Sequence, residues 1–313
     1  MTSTATPSRW PFGLALAAAL SAVPLVLFGG SVTTIGAGMA VEGWWIAEGH
    51  FMVFFPIEEW FRDTATFVEH THRLFGVLVG LFAIGTVVAT FLKDARGRAR
   101  GLSLAALLAV CGQGALGGFR VLENSPDLAF VHGAFAQAVL ALLFATALYL
   151  SPRWTAGSEA RQDATPGLRR IATWTAGAVY LQIVAGAWYR HALRPVSTPE
   201  SAPRFLVHVV LAFLVVALVI ALAKTLDDIG TPATRTLRQR VLWLLGLQVS
   251  LGLLALMGYR PGAVGPIEWT LAILHVLGGG LLLFQCVHVR MWAAAASTSA
   301  QPSLRGRLEG GTA

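Results

Sequence analysis

Val68-Glu69-His70-Thr71-His72-Arg73 is a cluster of ionisable groups that leads directly into Leu74–Leu92, an apolar run long enough to cross a bilayer. Titratable groups at membrane depth are costly to bury and are usually retained for a pathway, a cofactor or a reaction. Because helical residues turn by about 100° per position, Glu69, His72 and Gly76 share one face of the helix. This face predicts a functional site inside a membrane helix.

The composition of the chain is that of an integral membrane protein. Of the 313 residues, 55% are apolar and 12% charged, and the mean hydropathy is +0.65. The net charge of +7 does not indicate nucleic-acid binding, because the basic residues lie in short connections between apolar runs. Cys111 and Cys286 both lie inside apolar runs, which predicts neither a disulfide framework nor a zinc site.

The hydropathy pattern predicts eight membrane-spanning helices, of which the first is too long for a cleaved signal peptide. The predicted segments are Phe12–Ile35, Thr66–Leu92, Leu102–Val121, Leu128–Leu150, Leu168–Arg190, Arg204–Thr225, Leu237–Tyr259 and Trp269–Trp292.

The basic residues alternate between the two sets of connections. Sixteen of the 23 lie on the side that holds Arg9, Lys93–Arg100 and the C-terminal tail, and seven lie on the other. The positive-inside rule therefore predicts a multi-pass protein of the cell (cytoplasmic or inner) membrane with both termini in the cytoplasm. The acidic, aromatic segment Gly36–Ala65 is then external and is expected to rest on the membrane interface.

An internal repeat predicts the architecture, since both halves contain a histidine, a Gln-x-x-Leu-Gly motif and a second histidine in the same order. We predict an all-α integral membrane fold of two duplicated four-helix bundles, related by a pseudo-two-fold axis along the membrane normal. The predicted domains are residues 1–155, residues 156–293 and a disordered tail of residues 294–313. The repeated elements are His72, Gln113–Gly117 and His132 in the first half, and His208, Gln248–Gly252 and His275 in the second.

The four repeated histidines predict haem binding. Two imidazoles that face each other across a bundle can ligate one haem iron, and a small residue four positions later leaves room for the flat macrocycle. The alternative is four unrelated core histidines. The predicted pairs of ligand and small residue are His72 with Gly76, His132 with Ala136, His208 with Ala212, and His275 with Gly279.

One position distinguishes the two halves. Glu69 precedes His72 by three residues, whereas Phe205 holds the matching position before His208. The first half thus has a carboxylate suited to proton-coupled chemistry, and we predict a catalytic role for Glu69. The alternative is an interfacial glutamate paired with Arg73.

Two arginines and one further histidine lie close to the predicted site. Arg73 and Arg120 are candidates for bidentate contacts with haem propionates, or else extend to lipid headgroups. His70 points away from His72 and is either interfacial or part of a proton relay.

These motifs resemble those of the haem A synthases of bacterial cytoplasmic membranes and mitochondria, and the resemblance covers nearly all of the first 293 residues. The most specific pieces are Glu69–Arg73, Gln113–Gly118 and His132–Gln137, with weaker support from Gly29–Thr33 and Gly36–Met39.

The resemblance implies an eight-helix duplicated bundle. It also implies that haem b is the cofactor and that its iron is bound between His208 and His275. It implies that His72 and His132 hold the substrate haem O, whose C8 methyl group is oxidised to a formyl group by successive hydroxylations. Some family members have a cysteine pair in the outer loops, and this sequence has none there.

The sequence thus predicts a haem A synthase-like oxidoreductase of cytochrome oxidase assembly. Its expected partners are haem O, the lipid bilayer, a haem O synthase and an unidentified electron acceptor, and the oligomeric state stays open, a homo-oligomer included. The alternatives are a non-catalytic di-haem cytochrome b that relays electrons to or from quinone, and a haem transporter or chaperone.

Overall fold

The computed structural model describes residues 9–156, 165–192, 201–258 and 264–299, and this part of the chain is almost entirely helical. A long helix forms at each of the eight predicted places. The helices are α1 (Trp10–Ile35), α2 (Ile57–Trp60), α3 (Thr64–Lys93), α4 (Gly97–Leu122), α5 (Pro126–Leu150), α6 (Pro152–Ala156), α7 (Pro166–Ala192), α8 (Ser201–Ile229), α9 (Pro232–Gly258) and α10 (Pro266–Ser299).

Local sequence explains where these helices begin. Five start at a proline, whose fixed φ and missing N–H suit the first helical position. The Asp63 carboxylate caps α3 by accepting from the Thr66 N–H at 2.8 Å, and Ser125 caps α5. At the end of α1, Gly36 adopts φ of 76°, a left-handed conformation that glycine adopts without strain.

Seven of the eight long helices in the described part are long and apolar enough to cross a membrane. The exception is α7, which includes Arg169, Arg170 and Arg190. Length and composition therefore support seven of the eight predicted spans. The predicted end at Tyr259 lies outside the described residues. Helix α10 continues to Ser299, past the predicted boundary at residue 293, and residues 300–313 lie outside the description.

The long helices pack in two rings with the same order of neighbours. In the N-terminal unit α1 contacts α3, α3 contacts α4, α4 contacts α5, and α5 contacts α1. In the C-terminal unit α7, α8, α9 and α10 form the same closed circuit. The units meet where α5 packs on α10 and α7, and where α1 packs on α10.

Each unit has its own apolar core. One buried cluster is built from α1, α3, α4 and α5, with Leu140 and Leu143 near its centre. The second draws on α7 to α10, with Leu222 and Val289 fully buried. The helix faces outside these clusters are rich in exposed apolar side chains such as Phe213 and Trp243, as expected of surfaces that contact lipid.

The segment between α1 and α3, residues 36–63, forms a small structure at the end of the N-terminal unit, and we call it the outer segment. It contains a two-residue antiparallel strand pair, β1 (Ile46–Ala47) and β2 (His50–Phe51), a 3₁₀ turn and α2. Its buried residues include Val41 and Met52, which pack towards α3. Phe54 is 78% exposed, so the segment presents aromatic surface outward, as the predicted interfacial position requires.

Candidate functional site

The four repeated histidines form two facing pairs with nearly the same geometry. The ring centres of His72 and His132 are 6.3 Å apart with an interplanar angle of 80°, and those of His208 and His275 are 6.4 Å apart at 79°. Each histidine lies within the first ten residues of its helix, α3, α5, α8 or α10. The structure therefore brings together the residues that the sequence repeat paired, one pair in each unit.

A glycine on the preceding long helix contacts each of these rings. A Cβ atom built on the glycine would lie 2.7 to 2.9 Å from the imidazole Cε1, closer than real side chains approach. The absence of a side chain at these four positions is thus what lets each ring lie against the neighbouring helix. The contacts are Gly29 with His72, Gly117 with His132, Gly186 with His208, and Gly252 with His275.

Backbone carbonyls orient the rings. His72 Nδ1 lies 2.9 Å from the Leu25 carbonyl oxygen, and His275 Nδ1 lies 3.2 Å from that of Gln248. A carbonyl oxygen only accepts, so Nδ1 carries the proton in both rings, which leaves Nε2 with the lone pair that can bind a metal. This is the orientation that second-shell carbonyls commonly impose on histidine ligands. At His275 the Gln248 amide nitrogen also lies 3.4 Å from this Nε2 atom.

Three glutamines fix the backbone of three of the histidines. The side-chain amides of Gln113, Gln182 and Gln248 donate to the carbonyls of His132, His208 and His275, at 3.0, 2.9 and 3.0 Å. The sequence repeat identified Gln113 and Gln248 but missed Gln182. Its signal was present, since Gln182 precedes Gly186 by the same four residues that separate Gln113 from Gly117.

The histidine pairs fit an axially ligated haem iron. A metal ion midway between two imidazole nitrogens, with bonds of about 2 Å, places the ring centres roughly 6 Å apart, which agrees with both pairs. Among the described residues there is no group of three or more histidine, cysteine or acidic side chains that could hold a metal ion unaided. A pair of histidines therefore suits a metal whose other ligands come from a macrocycle.

The small residues predicted beside the haem differ in their surroundings. A Cβ on Gly76 would meet no atom within 4 Å, so the helix surface beside His72 is open there. A Cβ on Gly279 would lie 3.4 Å from Gln248 Nε2 and 3.6 Å from Ile183. The cofactor contacts predicted for Gly76, Ala136, Ala212 and Gly279 stay predictions.

Glu69 is buried and fully engaged at the boundary between α3 and the outer segment. Its Oε2 accepts from the N–H groups of Ala40 and Val41 at 2.7 and 3.1 Å, and its Oε1 accepts from Arg73 Nη2 at 2.8 Å. The side chains of this ion pair are only 3% and 8% exposed. The pairing with Arg73 considered from the sequence is thus formed, and Glu69 anchors the outer segment; its catalytic role stays a prediction.

Both predicted propionate-binding arginines contact backbone carbonyls of the outer segment. Arg73 donates to the Gly43 and Val41 carbonyls at 2.7 and 2.8 Å, in addition to Glu69. Arg120, in the last turn of α4, donates to the Gly38 carbonyl at 2.6 Å. The two guanidinium groups therefore attach this segment to the N-terminal unit, and their contact with haem propionates stays a prediction.

His70 lies beneath the outer segment, on the far side of α3 from His72. It is 1% exposed, and its ring packs between Phe55 and Trp60 with centres 4.7 and 5.2 Å away. Its Nδ1 atom is buried without a hydrogen-bond partner among the described residues. This position identifies His70 as part of the packing between α3 and the outer segment.

One turn before its first histidine, the second pair has an apolar contact where the first pair has an ion pair. Phe205, one turn before His208, packs on Tyr189 with ring centres 5.2 Å apart. The matching position before His72 holds the Glu69–Arg73 ion pair. The two sites therefore share their histidine geometry and differ in the charge beside it.

Fold and site together define an all-α multi-pass membrane protein with two pairs of facing histidines, one in each unit. Residues 12–198 match the family model COX15-CtaA, described as cytochrome oxidase assembly protein. The chain belongs to this family, which places its role in the assembly of cytochrome oxidase and supports the resemblance to haem A synthases at the level of the family.

The matched region includes His72 and His132 but ends before His208 and His275. The second pair is therefore linked to the family function through the repeated geometry. None of the curated proteins with which the chain was compared matches it.

Proposed function

We propose that this protein is a haem A synthase-like membrane oxidoreductase that oxidises the C8 methyl group of haem O to a formyl group by successive hydroxylations. The observation that carries the proposal is the pair of matched histidine sites in a chain of the cytochrome oxidase assembly family. Each pair presents two imidazoles at the separation that an axially ligated iron requires.

The two sites are proposed to have different occupants. His208 and His275, beside the apolar contact of Phe205 with Tyr189, would retain haem b as the cofactor. His72 and His132 would bind the substrate haem O, next to the polar cluster of the outer segment. Haem b, when bound, supplies one-electron transfer.

The chain's own residues would bind the substrate, exclude water and accept protons. The outer segment, attached by Arg73 and Arg120, covers the end of the unit that holds His72 and His132. Glu69, which is paired with Arg73, is the proposed proton acceptor. Arg73 and Arg120 would also offer positive charge to the substrate's propionates.

The architecture proposed for this function is a duplicated bundle. The matching contact circuits of the two units support a pseudo-two-fold axis that exchanges α1 with α7 and α5 with α10. We propose that the protein resides in the cytoplasmic membrane with both termini inside. A haem O synthase would supply the substrate, and an unidentified acceptor would remove the electrons.

A di-haem cytochrome b is the second candidate, and one observation favours it. The two histidine pairs agree within 0.1 Å in separation and 1° in angle, as 6.3 Å and 80° against 6.4 Å and 79°. Such similarity is expected of two electron-carrying sites with the same occupant. The Glu69–Arg73 pair, present beside one site and replaced by Phe205 at the other, favours the synthase.

Pigment extraction separates the two candidates. The full-length protein is expressed together with a haem O synthase, purified, and its haems are identified by chromatography and mass spectrometry. The synthase predicts haem O, haem A or a hydroxylated intermediate in addition to haem b. Haem b alone, with no haem A formed in the cells, would support the electron relay and reject the synthase.

Histidine variants then locate the cofactor. Replacement of His208 or His275 by Ala should remove the low-spin haem b spectrum from the purified protein, whereas His132→Ala should retain it. A haem b spectrum that persists in both second-site variants would place the cofactor elsewhere.

A further inference from the structure

Three of the four histidines are fixed by a side chain that the fourth lacks. The glutamine amides of α4, α7 and α9 donate to the backbone carbonyls of His132, His208 and His275. Each glutamine precedes by four residues the glycine that contacts the same histidine, so both lie on one helix face. One face of each of these helices therefore accommodates the ring and holds the ligand's backbone.

The glutamine side chains also carry an energetic penalty. The Oε1 atoms of Gln113, Gln182 and Gln248 are buried and have no hydrogen-bond partner among the described residues. Buried polar atoms without partners are unfavourable and uncommon in proteins. In all three glutamines the amide nitrogen bonds the histidine backbone, while the Oε1 atom has no partner among the described residues.

At His72 the equivalent position is Leu25, four residues before Gly29 on α1. A leucine side chain has no donor, so no amide there can bind the His72 carbonyl. The described contacts that hold the ring are the Leu25 backbone carbonyl, at 2.9 Å from Nδ1, and the surface of Gly29. His72 is thus positioned through its ring, whereas the other three are positioned through ring and backbone.

We propose that His72 is the exchangeable ligand of the first site, and that it leaves iron more readily than His132, His208 or His275. This inference rests on the proposed function, because it requires haem iron between both histidine pairs. In the exchange the bond between iron and Nε2 breaks, and the lone pair stays on the neutral imidazole. A releasable ligand suits a site whose haem must enter as substrate and leave as product, while clamped ligands suit a retained cofactor.

Carbon monoxide binding to the reduced full-length protein tests this inference. Ferrous haem with two histidine ligands binds CO only after one ligand has left, so the rate of CO binding reports ligand release. The purified protein is loaded with haem b at both sites, reduced with dithionite and mixed with CO. We expect two kinetic phases, and the faster one should become that of an open site in His72→Ala.

Glutamine and methionine have similar length, but only glutamine has an amide donor, so substitutions with these two residues separate the hydrogen bond from side-chain size. Leu25→Gln introduces the missing amide and should slow the fast phase about three- to tenfold, the equivalent of one net interhelical hydrogen bond. Leu25→Met has the same length without the donor and should leave this phase unchanged. Gln248→Met removes the bond at His275 and should accelerate the slow phase by a similar factor.

The outcomes distinguish this inference from the function on which it rests. A protein that takes haem at neither pair would overturn both. Two bound haems that bind CO at equal rates would overturn only the proposal that His72 is exchangeable. The same conclusion follows if Leu25→Gln and Leu25→Met change the fast phase by the same factor. If Leu25→Gln does not fold, Gln248→Met decides, because an unchanged slow phase shows that the amide does not restrain its histidine.

Discussion

Contact between a glycine and an imidazole ring is the most repeated residue-scale feature of this molecule. It occurs four times, once for each proposed ligand, and every one of these glycines faces an imidazole edge at a distance that excludes a methyl group. Glycine is unfavourable inside a helix by about 1 kcal/mol relative to alanine. Its use at these positions therefore indicates a requirement for space beside the histidine.

Gly252→Ala should damage the second site specifically. The new Cβ would lie 2.9 Å from His275 Cε1, so the ring must move away from the position that faces His208. We expect loss or a marked shift of the low-spin haem b spectrum. Gly246→Ala on the same helix is the matched control, because its Cβ would meet nothing within 4 Å and should leave the spectrum unchanged. Equal spectra for the two variants would contradict the steric role of Gly252.

Comparison of Glu69→Gln with Arg73→Gln separates two roles of the ion pair. Each substitution leaves the other group buried without its counter-charge, and we expect each to destabilise the outer segment by about 3–5 kcal/mol. If Glu69 accepts protons, Glu69→Gln should in addition reduce haem A formation about 10²-fold relative to Arg73→Gln. The measurements are thermal unfolding, haem b content and the ratio of haem A to haem O. Equal activity in the two variants would leave Glu69 with a structural role only.

The sequence predicted the histidines at this scale but only some of the residues that hold them, namely those of the Gln-x-x-Leu-Gly repeat. The histidines stand out because ionisable groups are rare in apolar runs. Gln182 and Gly186 were missed because a Gln-x-x-x-Gly spacing is short and unspecific until the partner helix is known. The contacts of Glu69 with Ala40 and Val41 join residues about thirty positions apart through a loop, which helical periodicity does not describe.

The outer segment is the element that combines most of the long-range polar contacts of the N-terminal unit. Arg62 forms a bidentate pair with Glu48, at 2.6 and 2.8 Å, and donates to the Ala40 carbonyl at 2.8 Å. Glu59 and Asp63 lie at 3.4 and 3.3 Å from the same guanidinium. These bonds connect the strand pair, α2 and the start of α3.

Acid should detach the outer segment. The hydrogen bond from Arg62 holds the pKa of Glu48 below the ordinary glutamate value, and capping of Thr66 lowers the pKa of Asp63. Depressed folded-state pKa values stabilise the segment above the ordinary carboxyl range, about pH 4, and this stabilisation is lost as pH falls through the lowered values. Tryptophan fluorescence and limited proteolysis between pH 6 and pH 3 should show the transition.

Glu48→Gln should weaken this acid transition, because the variant lacks the titrating partner of Arg62. Glu58→Gln is the control, since Glu58 takes part in no ion pair in the part of the chain that the structure describes. An identical pH profile for the wild type and Glu48→Gln would assign the transition to other groups.

Helix positions were predictable because length and hydropathy determine where a membrane chain can cross. The observed helices extend beyond the predicted ones by a few residues at most ends, since capping residues and first-turn prolines lie outside the apolar runs. Helix α7 is the least typical span. Its Arg169 and Arg170 are exposed near the start of the helix, and Arg190 near its end donates to the Gly30 carbonyl of α1.

At the scale of the whole molecule, the outer end of α1 joins the two units. Arg190 of α7 donates to the Gly30 carbonyl at 2.7 Å and to the Thr34 hydroxyl, and Trp269 Nε1 of α10 donates to Ser31 Oγ at 2.8 Å. These contacts connect residues more than 150 positions apart, so sequence patterns could not predict them. The α1 residues in these contacts come directly after Gly29, which contacts the His72 ring. The part of α1 that packs on His72 is therefore attached to the C-terminal unit.

The membrane orientation is the prediction on which the shared depth of the four histidines depends. We expect helix α7 to cross the membrane as well, although its composition is the least apolar, because it packs against α8. Thr175 Oγ1 lies 3.4 Å from the Leu218 carbonyl, and two turns further along α7 the Gln182 amide donates to the His208 carbonyl. Helix α8 is itself apolar enough to span. Eight crossings would place the outer segment on one side of the membrane and the connections after α3 and α8 on the other.

Single cysteines labelled with a membrane-impermeant maleimide test this orientation in intact cells. In a chain with Cys111→Ser and Cys286→Ala, we expect labelling of Glu58→Cys from outside and protection of Arg98→Cys and Asp228→Cys until the cells are opened. Arg98→Cys probes the basic connection after α3, which the positive-inside rule places in the cytoplasm. Asp228→Cys lies at the end of α8 and tests whether α7 crosses the membrane. If α7 did not cross, the end of α8 would lie outside the cell and would be labelled. External labelling of Asp228→Cys with protected Arg98→Cys would place the two histidine pairs on opposite sides of the membrane and reject the duplicated arrangement.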